Sequence, residues 1–181
     1  MYVYYACLSA DPDALNKVFR FLRKGFKVGV SIIKRLNDPD VMNMMELRRN
    51  VGNEIHYFRE FARFTSMDSK LYVCHIEPKN NVAYMVGQHF ADRMPSEYWM
   101  IIDDKRHLAV VHPMDEDTYL RRLTDEEFET LKNTEAKEDE YTDMWRTFFK
   151  AVAIEQRKNP ECQRSHFPIW MRKHATEFMD V

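Results

Sequence analysis

The sequence predicts an α+β fold, a small antiparallel sheet of three or four strands packed by several helices, with residues 1–181 as a single domain. Three observations carry this. Asp-Pro-Asp occurs twice, at 11–13 and 38–40, each time just before an apolar pattern of helical spacing. Residues 70–111 alternate between the two-residue period of strands and the 3.6-residue period of helices. An aromatic amphipathic segment follows an acidic spacer near the C-terminus.

Taken in order, YVYYACL at 2–8 is apolar and suits a strand or a helical turn. Asp11-Pro12-Asp13 is a helix start: a capping acid, a proline whose fixed φ suits the first turn, and an acid near the positive end of the dipole. Leu15, Val18, Phe19 and Leu22 then predict one buried face, with Lys17, Arg20, Lys24 and Lys27 opposite and Gly25 and Gly29 ending the helix. Asp38-Pro39-Asp40 starts a longer helix to about Phe64, buried through Val41, Met44, Val51, Ile55, Phe58 and Ala62, with Arg48 interrupting. Leu71–Glu77 reads as an interior strand stopped by Pro78. A helix capped by Asn80 or Asn81 contains Val82, Met85, Val86, His89 and Phe90, and Pro95 closes it. Tyr98–Ile102 and Leu108–Val111 predict a hairpin, and Tyr119–Leu123 is a candidate further strand. Residues 124–140 are mostly acidic and read as a spacer or a surface helix. Tyr141, Trp145, Phe148, Phe149 and Val152 predict a helix ended by Asn159-Pro160 and packed, with the rest of 141–181, on the same core.

Composition narrows the function classes. There are 27 Lys and Arg against 29 Asp and Glu, for a net charge of -2, so overall charge selects no partner. Its distribution is uneven: Lys17 to Arg63 holds eleven basic and five acidic residues. Three widely spaced cysteines make neither a disulfide framework nor a zinc ribbon, and fit a reducing cytoplasm. No apolar run is long enough for a membrane span. No phosphate-binding, dinucleotide or serine-hydrolase motif is present.

His75-Ile76-Glu77 matches the first half of a zinc-deaminase signature, but Pro160-Glu161-Cys162 lacks that signature's second cysteine and its spacing. Cys162 and His166 alone are a weak metal signal, so no metal and no cofactor is expected. Glu77, His89 and Asp103 are the candidate catalytic groups, since carboxylates and a histidine at strand ends suit acid–base work. They are expected to converge with Asn81, Arg93 and Arg106. The competing reading is a network of ion pairs and caps.

Four blocks also carry a family resemblance. They are GNEIHYFREFARF (52–64), Tyr72 to Arg93, WMIIDDKR (99–106) and WRTFFKAVAIEQRKNPECQRSHFP (145–168). In order and spacing they resemble a bacterial domain of unknown function classed as a probable DNA metabolism or repair protein. That domain is found fused behind UdgX-type uracil-DNA glycosylases, or encoded alone beside a radical-SAM protein of presumed repair function. The matching positions include Glu54, His56, Phe61, Arg63 and Phe64, then Glu77, Pro78, Asn81, His89, Phe90, Arg93, Trp99, Asp103 and Arg106. In the last block they include Trp145, Phe149, Glu155, Arg157, Asn159, Pro160, Gln163 and Pro168. The resemblance transfers no catalytic role. It implies that sequence usually precedes the segment beginning at Tyr2, and Trp170 falls out of the family's register.

The expectation is therefore an accessory or nucleic-acid-binding module of bacterial DNA metabolism, without catalysis of its own, for single-stranded or damaged DNA. Lys17, Arg20, Lys24, Lys27, Arg49, His56 and Arg63 would supply the phosphate contacts, and the basic-aromatic tail would stack bases. The alternatives are an enzyme acting on a base or nucleotide through Glu77, His89 and Asp103, and a binding partner of the radical-SAM protein. The oligomeric state is not legible.

Overall fold

Both Asp-Pro-Asp signals start helices in the computed structural model, which describes residues 2–67, 71–133 and 140–178. The chain divides into two compact units, Met1–His56 with Lys79–Val82, and Tyr57–Pro78 with Ala83–Val181.

The first unit is helical. α1 is Tyr2–Cys7, α2 is Ala14–Val28, a 3₁₀ turn spans Gly29–Lys34, and α3 is Pro39–Phe61, of which the residues up to His56 belong to this unit. Gly29 closes α2 with φ 75°, a left-handed conformation that costs glycine nothing, and donates its N–H to the Gly25 carbonyl. The buried cluster is Ala6, Ala14, Val18, Phe21, Ile32, Val41, Met44 and Leu47. This corrects the expected buried face of α2. Ala14, Val18 and Phe21 point inward, whereas Leu15 and Phe19 are 71% and 62% exposed. At about 100° per residue the apolar arc of α2 is wider than one contact can cover. Lys17 bonds Asp11 at 2.6 Å, and Lys24 bonds Asp38 and Asp40, each at 2.7 Å. These pairs pin the opposite flank of the helix. On α3, Leu47 fills the core position left by Arg48, which lies over the Tyr2 ring.

The second unit holds the sheet: β1 (Thr65–Met67), β2 (Leu71–Ile76), β3 (Trp99–Asp103), β4 (Leu108–His112) and β5 (Tyr119–Arg122), in that spatial order. Two expectations are corrected here. The sheet has five strands, because β1 is three residues long and too short for a period to register. It is mixed, because β2 and β3 are parallel. Between them α4 (Ala83–Arg93) carries the chain back along the sheet, and a strand–helix–strand connection of this kind makes parallel neighbours.

Side chains alternate across the sheet. Trp99, Ile101 and Val110 face α4, so closely that a Cβ on Gly87 would lie 2.6 Å from Val110 Cγ1. The other face buries Val73, Ile102 and Ala109 with Leu123 and with Phe128 of α5 (Asp125–Asn133). The C-terminal part continues as α6 (Glu140–Val152), a 3₁₀ turn at Glu155–Arg157, α7 (Pro160–His166), and 3₁₀ turns at Ile169–His174 and Thr176–Phe178. Asn159 caps α7 by accepting the Cys162 N–H at 3.0 Å. Residues 134–139 of the acidic spacer, and the side chains of Tyr141 and Glu155, lie outside the described residues. All three cysteines are free, and burial pushes the Cys74 thiol up to about 12.

Candidate functional site

The two-residue period of β2 places His75 on the face that also carries Val73, and Glu77 follows one residue past the strand's end. β3 is the parallel neighbour, with His75 opposite Ile102, so Asp104 lies just past that strand's end on the same side. The 3₁₀ turn at Ile169–His174 packs against β2 and brings in His174. His75 Nδ1 lies 2.7 Å from Asp104 Oδ1. His174 Nε2 lies 3.3 Å from Asp104 Oδ2 and 4.0 Å from Glu77 Oε1. The two imidazoles stack with centroids 5.9 Å apart, and the Lys173 ammonium contacts Glu77. Burial holds the His174 imidazole below the ordinary histidine range, outweighing the opposing pull of Asp104. The cluster sits at the carboxyl ends of two parallel strands, where open sheets commonly present their functional groups.

The groups singled out in the sequence divide among different surroundings. Asp103 is fully buried and bonds Arg106 Nη1 at 2.9 Å, while Arg106 also donates to the Pro78 carbonyl. Glu77 belongs instead to the cluster with His174 and Lys173. His89, on α4, has Arg59, Arg93 and Asp92 as its charged neighbours, and burial holds its pKa low. Neither Glu77 nor Asp103 is among those neighbours. Arg93 is exposed. Trp99 is a core residue whose Nε1 donates to the Met94 carbonyl. In the first unit Glu54 is buried beneath Lys79 and Asn80, and the exposed Asn81 donates its N–H to the Leu8 carbonyl. Asp104 and His174 escaped the sequence reading. His75 and Glu77 entered the sequence reading as the first half of the zinc-deaminase signature, Glu77 also as a carboxylate at a strand end.

The basic face of the long helices is partly consumed. Lys17 and Lys24 are held by acids, and the Asp38 and Asp40 carboxylates push the Lys24 ammonium above its usual pKa. Arg20, Lys27, Arg49 and His56 are exposed. Arg63 bonds Glu177 at 2.6 Å and lies over the Trp145 ring.

A second concentration of positive charge lies in the C-terminal segment. A cavity of about 1010 Å³ opens between α6 and α7. Arg146, Lys150, Arg157, Lys158 and Arg172 line it, together with Phe149, Phe178 and His166. Phe149, Arg157, Asn159 and Gln163, all positions that carry the family resemblance, are among its walls. Its carboxylate, Glu177, is committed to Arg63 and to Trp145 Nε1. Burial alone would raise the Glu177 pKa, but the Arg63 hydrogen bond and charge outweigh it and the value is lowered. A depressed carboxylate stabilises the fold above its unfolded value, and that contribution disappears as pH falls through the folded pKa. Acid titration of wild type is therefore expected to change Trp145 fluorescence below about pH 4.5, and Glu177→Gln should abolish the transition. An unchanged transition in the variant would assign it to another group.

Comparison with known proteins gives one result. The family model described as a domain of unknown function, DUF4130, matches residues 12–177. No curated protein and no solved structure matches the chain.

Proposed function

We propose that this chain, a member of the DUF4130 domain family, is an accessory nucleic-acid-binding module of bacterial DNA metabolism that takes single-stranded or damaged DNA into its C-terminal cavity. The observation that carries this reading is the lining: five cationic side chains interleaved with aromatic rings, and one carboxylate already neutralised by Arg63. Cations track a phosphate backbone, and aromatic faces stack bases whatever their identity. The volume lies at the upper end of the range for small-ligand sites, enough for an extruded or unpaired nucleotide. Intact duplex keeps its bases stacked and presents no such group. The acidic bias of 115–140 opposes any nucleic acid by repulsion, so the cavity's cations must outweigh it.

The test is anisotropy of a labelled single-stranded oligonucleotide. If roughly four phosphates are neutralised, affinity should fall about 50-fold between about 50 and 200 mM salt. Charge reversal at Lys150 and Arg157 should weaken binding by at least about tenfold, with the far-ultraviolet dichroism unchanged. Reversal of Arg20 and Lys27 on α2 should leave it within about twofold. The cavity reading fails if wild type does not bind at low salt, or if only the α2 reversal matters.

A further inference from the structure

We infer that Glu77, Asp104 and His174 form a binding site for a divalent transition-metal ion of the zinc class, with His75 orienting Asp104. The site is separate from the cavity and stands on different observations. The donor atoms of Glu77, Asp104 and His174 lie within 4.8 Å of one another. A tetrahedral ion with ligand bonds of about 2.0–2.1 Å has edges of roughly 3.3 Å. The distance from His174 Nε2 to Asp104 Oδ2 is 3.3 Å, one such edge. Glu77 Oε1 at 4.0 Å from the same nitrogen needs only a small side-chain rotation to complete a face.

The state of His174 separates this arrangement from an ordinary ion-pair network. Its Nε2 is shielded from solvent and makes no hydrogen bond, although two carboxylates stand near it. A shielded nitrogen 3.3 and 4.0 Å from two carboxylate oxygens, with no hydrogen bond, has the disposition of a ligand. Asp104 offers Oδ2 to the site while Oδ1 is taken by His75 Nδ1 at 2.7 Å, the outer-shell support that fixes a ligating carboxylate. Lys173 supplies the cation that Glu77 now contacts, and its side chain is 59% exposed, free to swing into solvent. Mixed imidazole and carboxylate ligation favours zinc-class ions over magnesium and calcium, which prefer all-oxygen shells. Three protein ligands leave a fourth position open to water or a ligand oxygen. The expectation of no metal rested on local spacing, and these ligands come from the end of β2, the β3–β4 turn and a C-terminal 3₁₀ turn.

The experiment is zinc titration of the full chain against a chromogenic chelator. Wild type should bind one equivalent, unaffected by millimolar magnesium. His174→Ala and Asp104→Asn should each lose affinity by more than about a hundredfold, and His75→Ala by about 10- to 100-fold. Lys173→Ala removes no ligand and frees Glu77, so it should tighten binding several-fold, an effect that misfolding cannot mimic. Zinc should raise the melting temperature of wild type and not of Asp104→Asn. Absence of stoichiometric binding would overturn the inference. So would binding unchanged in His174→Ala and Asp104→Asn, or binding lost in Cys162→Ser, which would place the ion on the exposed Cys162–His166 pair.

Discussion

Replacing Glu54 by alanine is expected to lower the unfolding free energy by about 2–5 kcal/mol. The side chain is 5% exposed and accepts three hydrogen bonds: from Lys79 N–H at 2.6 Å, Asn80 N–H at 2.9 Å and Asn80 Nδ2 at 2.5 Å. Asn80 in turn accepts the Ala10 N–H at 2.8 Å, and Asn81 donates to the Leu8 carbonyl. One carboxylate thus holds the 79–82 segment and, through it, the turn after α1. Truncation leaves buried donors with no acceptor, and a donor stranded away from water costs more than its bond was worth. Glu54→Gln keeps one acceptor oxygen but points an amide N–H₂ at other donors, so it should recover no more than about half of the loss. Urea denaturation of the two variants measures this. A loss below about 1 kcal/mol for Glu54→Ala would mean that water replaces the carboxylate and that the network does not fix the segment.

The second large effect is at Asp103. The residue has no exposed surface, and its Oδ1 accepts the N–H groups of Lys105 and Arg106, both at 3.1 Å, closing the β3–β4 turn. Its Oδ2 meets Arg106 Nη1 at 2.9 Å. Asp103→Ala should cost about 3 kcal/mol or more, by leaving two turn amides unpaired and removing the charge partner of Arg106. Asp103→Asn retains an acceptor for the turn and should cost about half as much. The two variants also differ in their pH behaviour. Burial raises the Asp103 pKa, with Arg106 only partly opposing it. A raised carboxylate contributes stability below its unfolded value of 3.8, and that contribution is lost as pH rises through the folded pKa. The stability advantage of wild type over Asp103→Asn should therefore be largest in acid, shrink as pH rises through that window, and stay flat beyond it. A difference that grows with pH would show that the ion pair with Arg106 outweighs burial.

Several elements were legible because their signals are local. The Asp-Pro-Asp starts and the apolar periods of α3, β2, β3 and β4 depend on residues within a few positions of one another, and they stand where expected; Asn159-Pro160, expected to end the aromatic helix, instead caps and opens α7, while α6 already stops at Val152. The face of α2 was misread because its apolar arc exceeds a single contact. Only the partners Asp11, Asp38 and Asp40 on one flank and the α1 residues inside decide which part of it is buried. The parallel pairing of β2 with β3 was misread for a related reason. The sequence pattern contained the crossover helix, but pairing direction is a property of the sheet and has no periodicity of its own.

By itself, then, the sequence determined the two Asp-Pro-Asp helix starts, most of the strands, most of the core positions on α3 and the basic-aromatic character of residues 145–174. Tertiary structure alone decided which of its polar groups meet. Asp103 and Asp104 are adjacent in the chain and alike in chemistry, yet alternation across the sheet sends one into the core with Arg106 and the other to His75 and His174. His75 and His174 stand ninety-nine positions apart in the sequence, and no spacing rule joins them. They meet because β2 lies inside the sheet and the C-terminal 3₁₀ turn packs against it, a contact set by the burial of Phe167, Met171 and Ala175 rather than by any feature of the histidines themselves.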